Sequence, residues 1–238
     1  MNTIYYPAAE RGHANLGWLD SHHSFSFGQW YNAEKMHFGA LRVLNDDIVK
    51  GGAGFGTHPH DNMEIVSIPL SGALAHKDST GRSEVINTGD VQIMSAGSGI
   101  SHSEFNASKT APVNFLQVWL FPKQKNITPR YEQKTFDAAG RNNQWQVVVS
   151  PDEKDKAVWI NQNAKFSLAQ IEAGKQLDYK NAFSDTGVYF FVLEGKATIA
   201  GKELNKRDGL GVSEANEVIV KATDTSTVLA IEVPMLLH

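Results

Sequence analysis

Short apolar runs recur along the whole chain, and glycine, aspartate, asparagine or serine separates each run from the next. The runs are rich in Val, Ile, Phe and Trp, which are residue types that favour strands. Long amphipathic helices are absent from this pattern. The sequence therefore predicts an all-β fold, with candidate strands at 38–44, 63–70, 72–77, 91–95, 113–121, 145–150, 188–193, 197–200 and 228–233.

Turn residues divide this pattern into hairpins and two larger blocks. The segment 78–82, Asp-Ser-Thr-Gly-Arg, predicts a hairpin turn, and Gly89-Asp90 predicts a turn into the next strand. Between 122 and 143 the chain becomes polar, as is typical of a connection between domains. We expect an N-terminal domain over 1–133 and a C-terminal domain over 134–238.

The second block repeats part of the first. Val-Leu-Glu-Gly at 192–195 resembles Pro-Leu-Ser-Gly at 69–72, and Arg-Asp-Gly at 207–209 resembles Thr-Gly-Asp at 88–90. These matches indicate an internal duplication. Because the chain has no histidine between 174 and 233, the second block cannot repeat a histidine site of the first. Its predicted role is structural or selective.

Composition and charge narrow the function classes. The 238 residues are 41% hydrophobic and 20% charged with a net charge of −4, which gives no basic surface for nucleic acid or an anionic membrane. The absence of cysteine excludes disulfides, thiolate metal sites and cysteine nucleophiles. No secretory signal pattern and no apolar stretch near 18 residues is found. We expect a soluble cytoplasmic protein with neither a membrane nor a direct nucleic-acid partner.

Two short groups of metal-binding residue types stand in glycine-rich segments: His58-Pro59-His60 and His102-Ser103-Glu104. Alternate side chains of a strand point to the same face, so each group presents its two donors together. Two neighbouring strands would then bring three imidazoles and one carboxylate to one point. This donor set suits a divalent transition metal that keeps positions open for a substrate or oxygen.

The wider motifs resemble known families. His58-x-His60 followed by Glu64 and Gly72, and later by Gly99 and His102, resembles the two-part cupin signature. Further motifs in the same order are similar to the pirin family over nearly the whole first block: Arg-Gly-His at 11–13, Gly-Trp-Leu-Asp at 17–20, Phe-Ser-Phe at 25–27, Leu-Arg-Val-Leu-Asn-Asp-Asp at 41–47, Gly-Ile-Ser-His-Ser-Glu at 99–104 and Pro-Arg-Tyr-Glu-Gln at 129–133. The C-terminal block matches only loosely.

The resemblance to pirins implies a bicupin, with two antiparallel double-stranded β-helix barrels and a metal in the N-terminal barrel alone. It implies that His58, His60, His102 and Glu104 are the ligands. We expect one divalent transition metal, with Fe²⁺ as the first choice and Ni, Co, Cu, Mn or Zn as alternatives. Glu64 shares the strand parity of His58 and His60, so we expect it beside a ligand as an orienting group or proton acceptor, with direct ligation as an alternative.

The same resemblance implies quercetin 2,3-dioxygenase activity on a small planar aromatic substrate and O₂, with release of carbon monoxide. The hypothesis is that the metal acidifies the flavonol 3-hydroxyl while Glu104, or Glu64, accepts its proton. One alternative is a metal-binding, redox-sensitive regulatory module with a protein partner, and another is a storage or isomerase cupin.

Five other histidines, at 13, 22, 23, 37 and 76, are interpreted as ordinary surface or hydrogen-bonded residues, with His23 as the first candidate to line a pocket. Five aromatic residues are interpreted as core residues in preference to substrate contacts: Phe25, Phe27, Trp30, Phe38 and Trp119.

Overall fold

The computed structural model describes residues 1–236, and they form 22 strands and three short 3₁₀ helices. The helices span Ala8–Glu10, Ala138–Arg141 and Glu153–Asp155. Within the described residues, no helix is long and apolar enough to cross a membrane.

Eleven strands form the N-terminal barrel. They are β2 (Gly12–Asn15), β3 (Leu19–His23), β4 (Leu41–Val49), β5 (Gly54–His60), β6 (Glu64–Ser71), β7 (Ala73–Asp78), β8 (Ser83–Asn87), β9 (Asp90–Ser95), β10 (Ile100–Asn106), β11 (Val113–Leu120) and β12 (Arg130–Thr135). A seven-stranded sheet has the order β12-β9-β6-β11-β4-β3-β2, and a four-stranded sheet has the order β5-β10-β7-β8.

The other eleven strands form the C-terminal barrel. They are β1 (Asn2–Tyr6), β13 (Gln146–Ser150), β14 (Val158–Trp159), β15 (Lys165–Ile171), β16 (Gln176–Lys180), β17 (Thr186–Glu194), β18 (Lys196–Ile199), β19 (Lys202–Asn205), β20 (Gly209–Ser213), β21 (Glu217–Ala222) and β22 (Ser226–Pro234). The seven-stranded sheet has the order β1-β20-β17-β22-β15-β13-β14, and the four-stranded sheet has the order β16-β21-β18-β19. All pairings are antiparallel except that of β13 with β14.

The largest apolar cluster joins the two barrels, because it contains buried residues from both seven-stranded sheets, among them Val66, Leu116, Phe166 and Ile231. A second cluster fills the interior of the C-terminal barrel with apolar side chains such as Phe190 and Val220. The N-terminal barrel differs, since it has two smaller apolar clusters at its ends. This leaves room for polar side chains in its interior.

The predicted all-β bicupin fold is confirmed, and every candidate strand overlaps an observed one. The turn at 78–82 joins β7 to β8 as predicted, and Gly89 precedes β9 with a positive φ of 96°. The sequence did not predict that β1 pairs with β20 in the other barrel. The domain boundary between 133 and 134 stays a prediction.

Candidate metal centre

Two strands of the four-stranded sheet in the N-terminal barrel carry the candidate ligands. β5 pairs with β10, and His58 lies directly opposite His102 in their register. The register shifts between the pairs His102↔His58 and Glu104↔Phe55, so that β5 has one extra residue there. A bulge of this kind changes the direction of nearby side chains. His60 follows at the end of β5, two residues from His58 and on the same face.

The three imidazoles converge. One nitrogen from each of His58, His60 and His102 lies within 4.8 Å of the others. The ring centroids are 4.8 Å apart for His58 and His60, 4.5 Å for His58 and His102, and 4.9 Å for His60 and His102. The structure therefore brings together the three histidines that the sequence predicted.

The electrostatics of the cluster keep the imidazoles of His60 and His102 neutral, which is the form that binds a metal. Burial lowers the pKa of His102 to about 3, and repulsion from His58 and His60 acts in the same direction. Burial and the neighbouring His58 lower the pKa of His60 to about 4. At neutral pH both rings thus offer a lone pair.

The hydrogen bonds leave nitrogens free for a cation. Nδ1 of His58 lies 2.8 Å from the carbonyl oxygen of Gly56, which directs Nε2 toward the cluster as the free nitrogen. Among the described residues, Nε2 of His60 and both ring nitrogens of His102 are buried and have no hydrogen-bond partner. Unpaired buried nitrogens are costly, so this donor set fits a divalent transition metal.

Glu104 lies beside the imidazoles and is held by two side chains of the larger sheet. Its Oε2 accepts a hydrogen bond from Nε2 of Gln117 at 2.6 Å, and its Oε1 accepts one from Oγ of Ser67 at 3.1 Å. One of its oxygens lies within 4.8 Å of nitrogens of both His102 and His76. Burial raises the pKa of Glu104, while His76, these hydrogen bonds and His58 oppose that shift.

Glu64 has different neighbours. Its Oε2 accepts hydrogen bonds from Oγ of Ser95 at 2.8 Å and from the backbone N–H of Asn161, in the other barrel, at 3.1 Å. Its parity along β6 is that of Val66, which packs between the barrels. Glu64 is absent from the groups of clustered donors among the described residues. Its catalytic role stays a prediction, and these contacts support a role at the barrel interface.

A cavity of about 770 Å³ opens beside the cluster, inside the N-terminal barrel. Its walls are mainly apolar and aromatic, and Phe27, Trp30 and Trp119 contribute to them, whereas Phe25 and Phe38 are core residues as predicted. The polar and charged lining includes Ser21, His23, Asn45, Asp47, His58, Glu104 and Gln117.

Some residues of the site were missed in the sequence. His76 lies opposite Glu104 in the pairing of β7 with β10, and its Nε2 is 2.9 Å from Oδ2 of Asp78. The spacing of His76 and Asp78, two residues apart on one strand, was the available signal in the sequence. The pairing of β7 with β10 is needed to place His76 beside Glu104. Gln117 lies in an apolar run with nothing to mark it, and Asp47 belongs to the motif at 41–47, which carried the family resemblance but indicated no role in the site. His23 lines the cavity, as the sequence had indicated.

Two protein-family profiles match separate parts of the chain. The profile of the pirin family matches residues 7–120, and that of the quercetinase C-terminal cupin domain matches residues 147–233. The chain is 42% identical to a quercetin 2,3-dioxygenase of Escherichia coli K12, with 95% of this chain and 96% of that one covered. It is 37% identical to a putative quercetin 2,3-dioxygenase of Pseudomonas aeruginosa, with 95% and 97% covered.

A solved structure of similar fold contains a metal. The bacterial pirin YhhW of E. coli in complex with nickel(II) superposes with a TM-score of 0.93 at 39% identity, over 99% of this chain and 100% of that one. Sequence and fold are thus similar over essentially the full length. The chain belongs to the pirin family.

Proposed function

We propose that this chain is a metal-dependent dioxygenase that cleaves flavonols such as quercetin with O₂ and releases carbon monoxide. The observation that carries the proposal is the cavity of about 770 Å³, which has aromatic walls and is lined by His58 and Glu104 at the metal cluster. A flat aromatic molecule fits such walls, and it would meet the cluster with one edge. The names of the relatives support the same substrate class.

The proposed ligands are His58, His60, His102 and Glu104. The convergence of three imidazoles and the adjacent buried carboxylate support this set. When bound, a divalent metal supplies a Lewis acid that acidifies the flavonol 3-hydroxyl. Iron(II) is the proposed metal, while nickel(II), which the related E. coli structure contains, and Co, Cu, Mn and Zn are alternatives.

The residues of the chain have separate tasks in this scheme. Glu104 accepts the hydroxyl proton of the substrate, and Gln117 and Ser67 hold its carboxylate in place. Phe27 and Trp119 contact each other edge to face at 5.4 Å and form one wall that excludes water from the substrate. The interior position of the ligands favours an enzyme over a regulator, because a regulator needs an exposed surface that responds to the metal.

The test combines metal analysis with turnover. Purified protein is analysed for metal by mass spectrometry. Flavonol loss is followed in aerobic and in anaerobic assays, and O₂ consumption is followed in the aerobic assay. We expect turnover that requires both metal and O₂. His58→Ala and His102→Ala should lose both metal and turnover, whereas Glu104→Gln should lower turnover by more than it lowers metal content.

His37→Ala is the matched control, because Nδ1 of His37 contacts the carbonyl oxygen of Gly39 at 2.9 Å, away from the cluster. This variant should keep its metal and its activity. Full flavonol turnover in a metal-free His58→Ala protein would contradict the proposal. Reconstitution with Fe²⁺ and with Ni²⁺ compares the two leading metals.

A further inference from the structure

A row of polar side chains crosses the cavity floor. Gln117 on β11 lies opposite Asn45 on β4, and Asn45 lies opposite His23 on β3. All three residues are buried and line the cavity. Adjacent strands are about 4.8 Å apart, so His23 lies roughly 10 Å from Gln117 across the sheet. Since Gln117 binds Glu104, His23 lies toward the opposite end of the floor.

The hydrogen bonds of His23 fix which of its nitrogens carries the proton. Burial raises the pKa of Asp47 to about 7, so above that pH its carboxylate is ionised and can only accept, and Oγ of Ser21 donates to it. The Ser21 oxygen is then left to accept from Nε2 of His23, at 2.8 Å. Burial lowers the pKa of His23 to about 4, so the ring is neutral at pH 7. Nδ1 of His23 therefore has a free lone pair.

This nitrogen has no partner in the part of the chain that the structure describes, and it is buried. The residue as a whole is 4% exposed and lines the cavity. A buried acceptor without a donor is costly, whereas a ligand hydroxyl that donates to it removes the cost. The site is thus built for a hydrogen-bond donor.

An aromatic wall connects His23 to the metal cluster. His23 contacts Phe27 at 5.2 Å, Phe27 contacts Trp119 at 5.4 Å, and Trp119 contacts His60 at 4.9 Å, all between ring centroids and edge to face. Two aromatic rings therefore separate His23 from the nearest cluster imidazole along this wall. A planar ligand of several fused or linked rings along the wall would reach both ends.

We propose that His23, positioned by Ser21 and Asp47, accepts a hydrogen bond from a hydroxyl on the end of the substrate that lies away from the metal cluster. The inference rests on the proposed function, because it takes a flavonol as the ligand. It specifies the substrate class further: a planar aromatic that carries a second hydroxyl at its far end, in addition to the one at the metal. A ligand with a carbonyl oxygen at that end is disfavoured.

The experiment uses two flavonols and is run above pH 7, where Asp47 is ionised. Quercetin has hydroxyls on its outer rings, whereas 3-hydroxyflavone has only the hydroxyl that the metal would meet. His23→Phe keeps an aromatic ring and removes the acceptor. We expect this variant to lower kcat/KM for quercetin about tenfold and to leave the value for 3-hydroxyflavone within about twofold. Ser21→Ala, which frees the tautomer of His23, should cause a smaller loss with the same selectivity.

Controls separate this proposal from a structural role and from the proposed function. His22→Phe, the neighbour on the opposite face of β3, should leave the ratio of the two substrates unchanged. Equal losses for both flavonols in His23→Phe, or no loss for either, would overturn the proposal even when the wild type is active. If His23→Phe does not fold, Ser21→Ala gives the same comparison.

If the metal-loaded wild type turns over neither flavonol, the proposed function fails and equilibrium binding of the two compounds decides the inference. A preference for quercetin that disappears in His23→Phe then supports the hydroxyl site. An equal affinity for both compounds in wild type and variant overturns it. Binding of neither compound to the wild type overturns both proposals.

Discussion

The surroundings of the candidate ligands affect their protonation states, and therefore metal binding, in different ways. Burial keeps His60 and His102 neutral, which favours binding, but the same burial favours the protonated form of Glu104, which opposes it. Gln117 and Ser67 offset this effect by donating hydrogen bonds to the carboxylate. The hydrogen bond from Gln117 is therefore important for metal affinity.

Gln117→Leu tests that role. The variant removes the donor to Oε2 of Glu104, and we expect metal affinity to fall about 10- to 100-fold. Competition with a chromophoric chelator measures the change. Gln170→Leu, at an exposed position of β15, is the matched control and should bind metal like the wild type. Unchanged affinity in Gln117→Leu would show that Glu104 needs no such support.

Glu64 should make the free energy of unfolding depend on pH. Burial raises its pKa from 4.5 to about 7, against the hydrogen bonds from Ser95 and Asn161. The folded state therefore holds a proton that the unfolded state releases, and the stability this provides is present below pH 4.5 and lost as pH rises through 7. The shift corresponds to roughly 3 kcal/mol.

Glu64→Gln should remove this contribution and flatten the fall in unfolding free energy between pH 4.5 and about 7. Urea titrations of chelator-treated protein measure it, so that metal release adds no slope. Burial also raises the pKa of Asp47 to about 7, which leaves part of the slope in the variant. Lost turnover in metal-loaded Glu64→Gln would instead favour the predicted catalytic role.

Strand parity predicted the convergence of His58, His60 and His102 from the sequence, because it holds within a strand. For Glu64 parity is a weaker guide, since Asn62, with a φ of 45°, lies between β5 and β6 and the two strands belong to different sheets, and the role of Glu64 stays a prediction. His76 was missed for a related reason. Its proximity to Glu104 depends on which strands pair, and a single sequence does not contain that information.

Among the elements, the turn before β10 joins both halves of the metal cluster. The carbonyl oxygen of Gly97 accepts a hydrogen bond from the N–H of Asn62 at 2.9 Å, just beyond His60. Gly97 has a φ of 50°, and a Cβ there would clash with the carbonyl oxygen of Ile127. The turn thus requires glycine for both its backbone conformation and its packing.

Gly97→Ala should shift this turn, lower the free energy of unfolding by about 3 kcal/mol and reduce metal occupancy. Thermal unfolding and metal analysis measure the two effects. Gly201→Ala is the control, because Gly201 has a φ of 78° but nothing within 4 Å of an added Cβ. Backbone strain alone should cost that variant about 1 kcal/mol and leave the metal in place.

The repeated sequence motifs correspond to equivalent turns in the two barrels. Gly72 and Gly195 have φ values of 78° and 82° before β7 and β18. Asp90 accepts a hydrogen bond from the N–H of Asn87, and Asp208 accepts one from Asn205, both at 2.8 Å. Local turn chemistry was readable from the sequence because it depends on residues near in the chain.

At the scale of the whole molecule, a buried ion cluster accompanies the apolar interface between the barrels. Asp46 of the N-terminal barrel lies 2.9 Å from Nε of Arg207 in the other barrel and 3.6 Å from Nη1 of Arg11. All three side chains are less than 15% exposed. Removal of one partner from such a cluster leaves charges buried without compensation.

Asp46→Ala should therefore lower the free energy of unfolding by about 3 kcal/mol, measured in urea. Glu217→Ala breaks the exposed pair of Glu217 with Lys180 and should cost less than about 1 kcal/mol. Similar small losses in both variants would mean that the apolar contacts alone hold the barrels together. The sequence did not predict this cluster, because its members are up to 196 residues apart.

The pairing of β1 with β20 also bears on how the protein folds. Residues 2–6 pair with 209–213, so β1 is synthesised long before β20 and cannot form its hydrogen bonds until β20 has been made. Contacts of such long sequence separation slow folding. Until β1 arrives, β20 has an open edge that another chain could pair with, so the nascent second barrel is exposed to aggregation until this last strand docks.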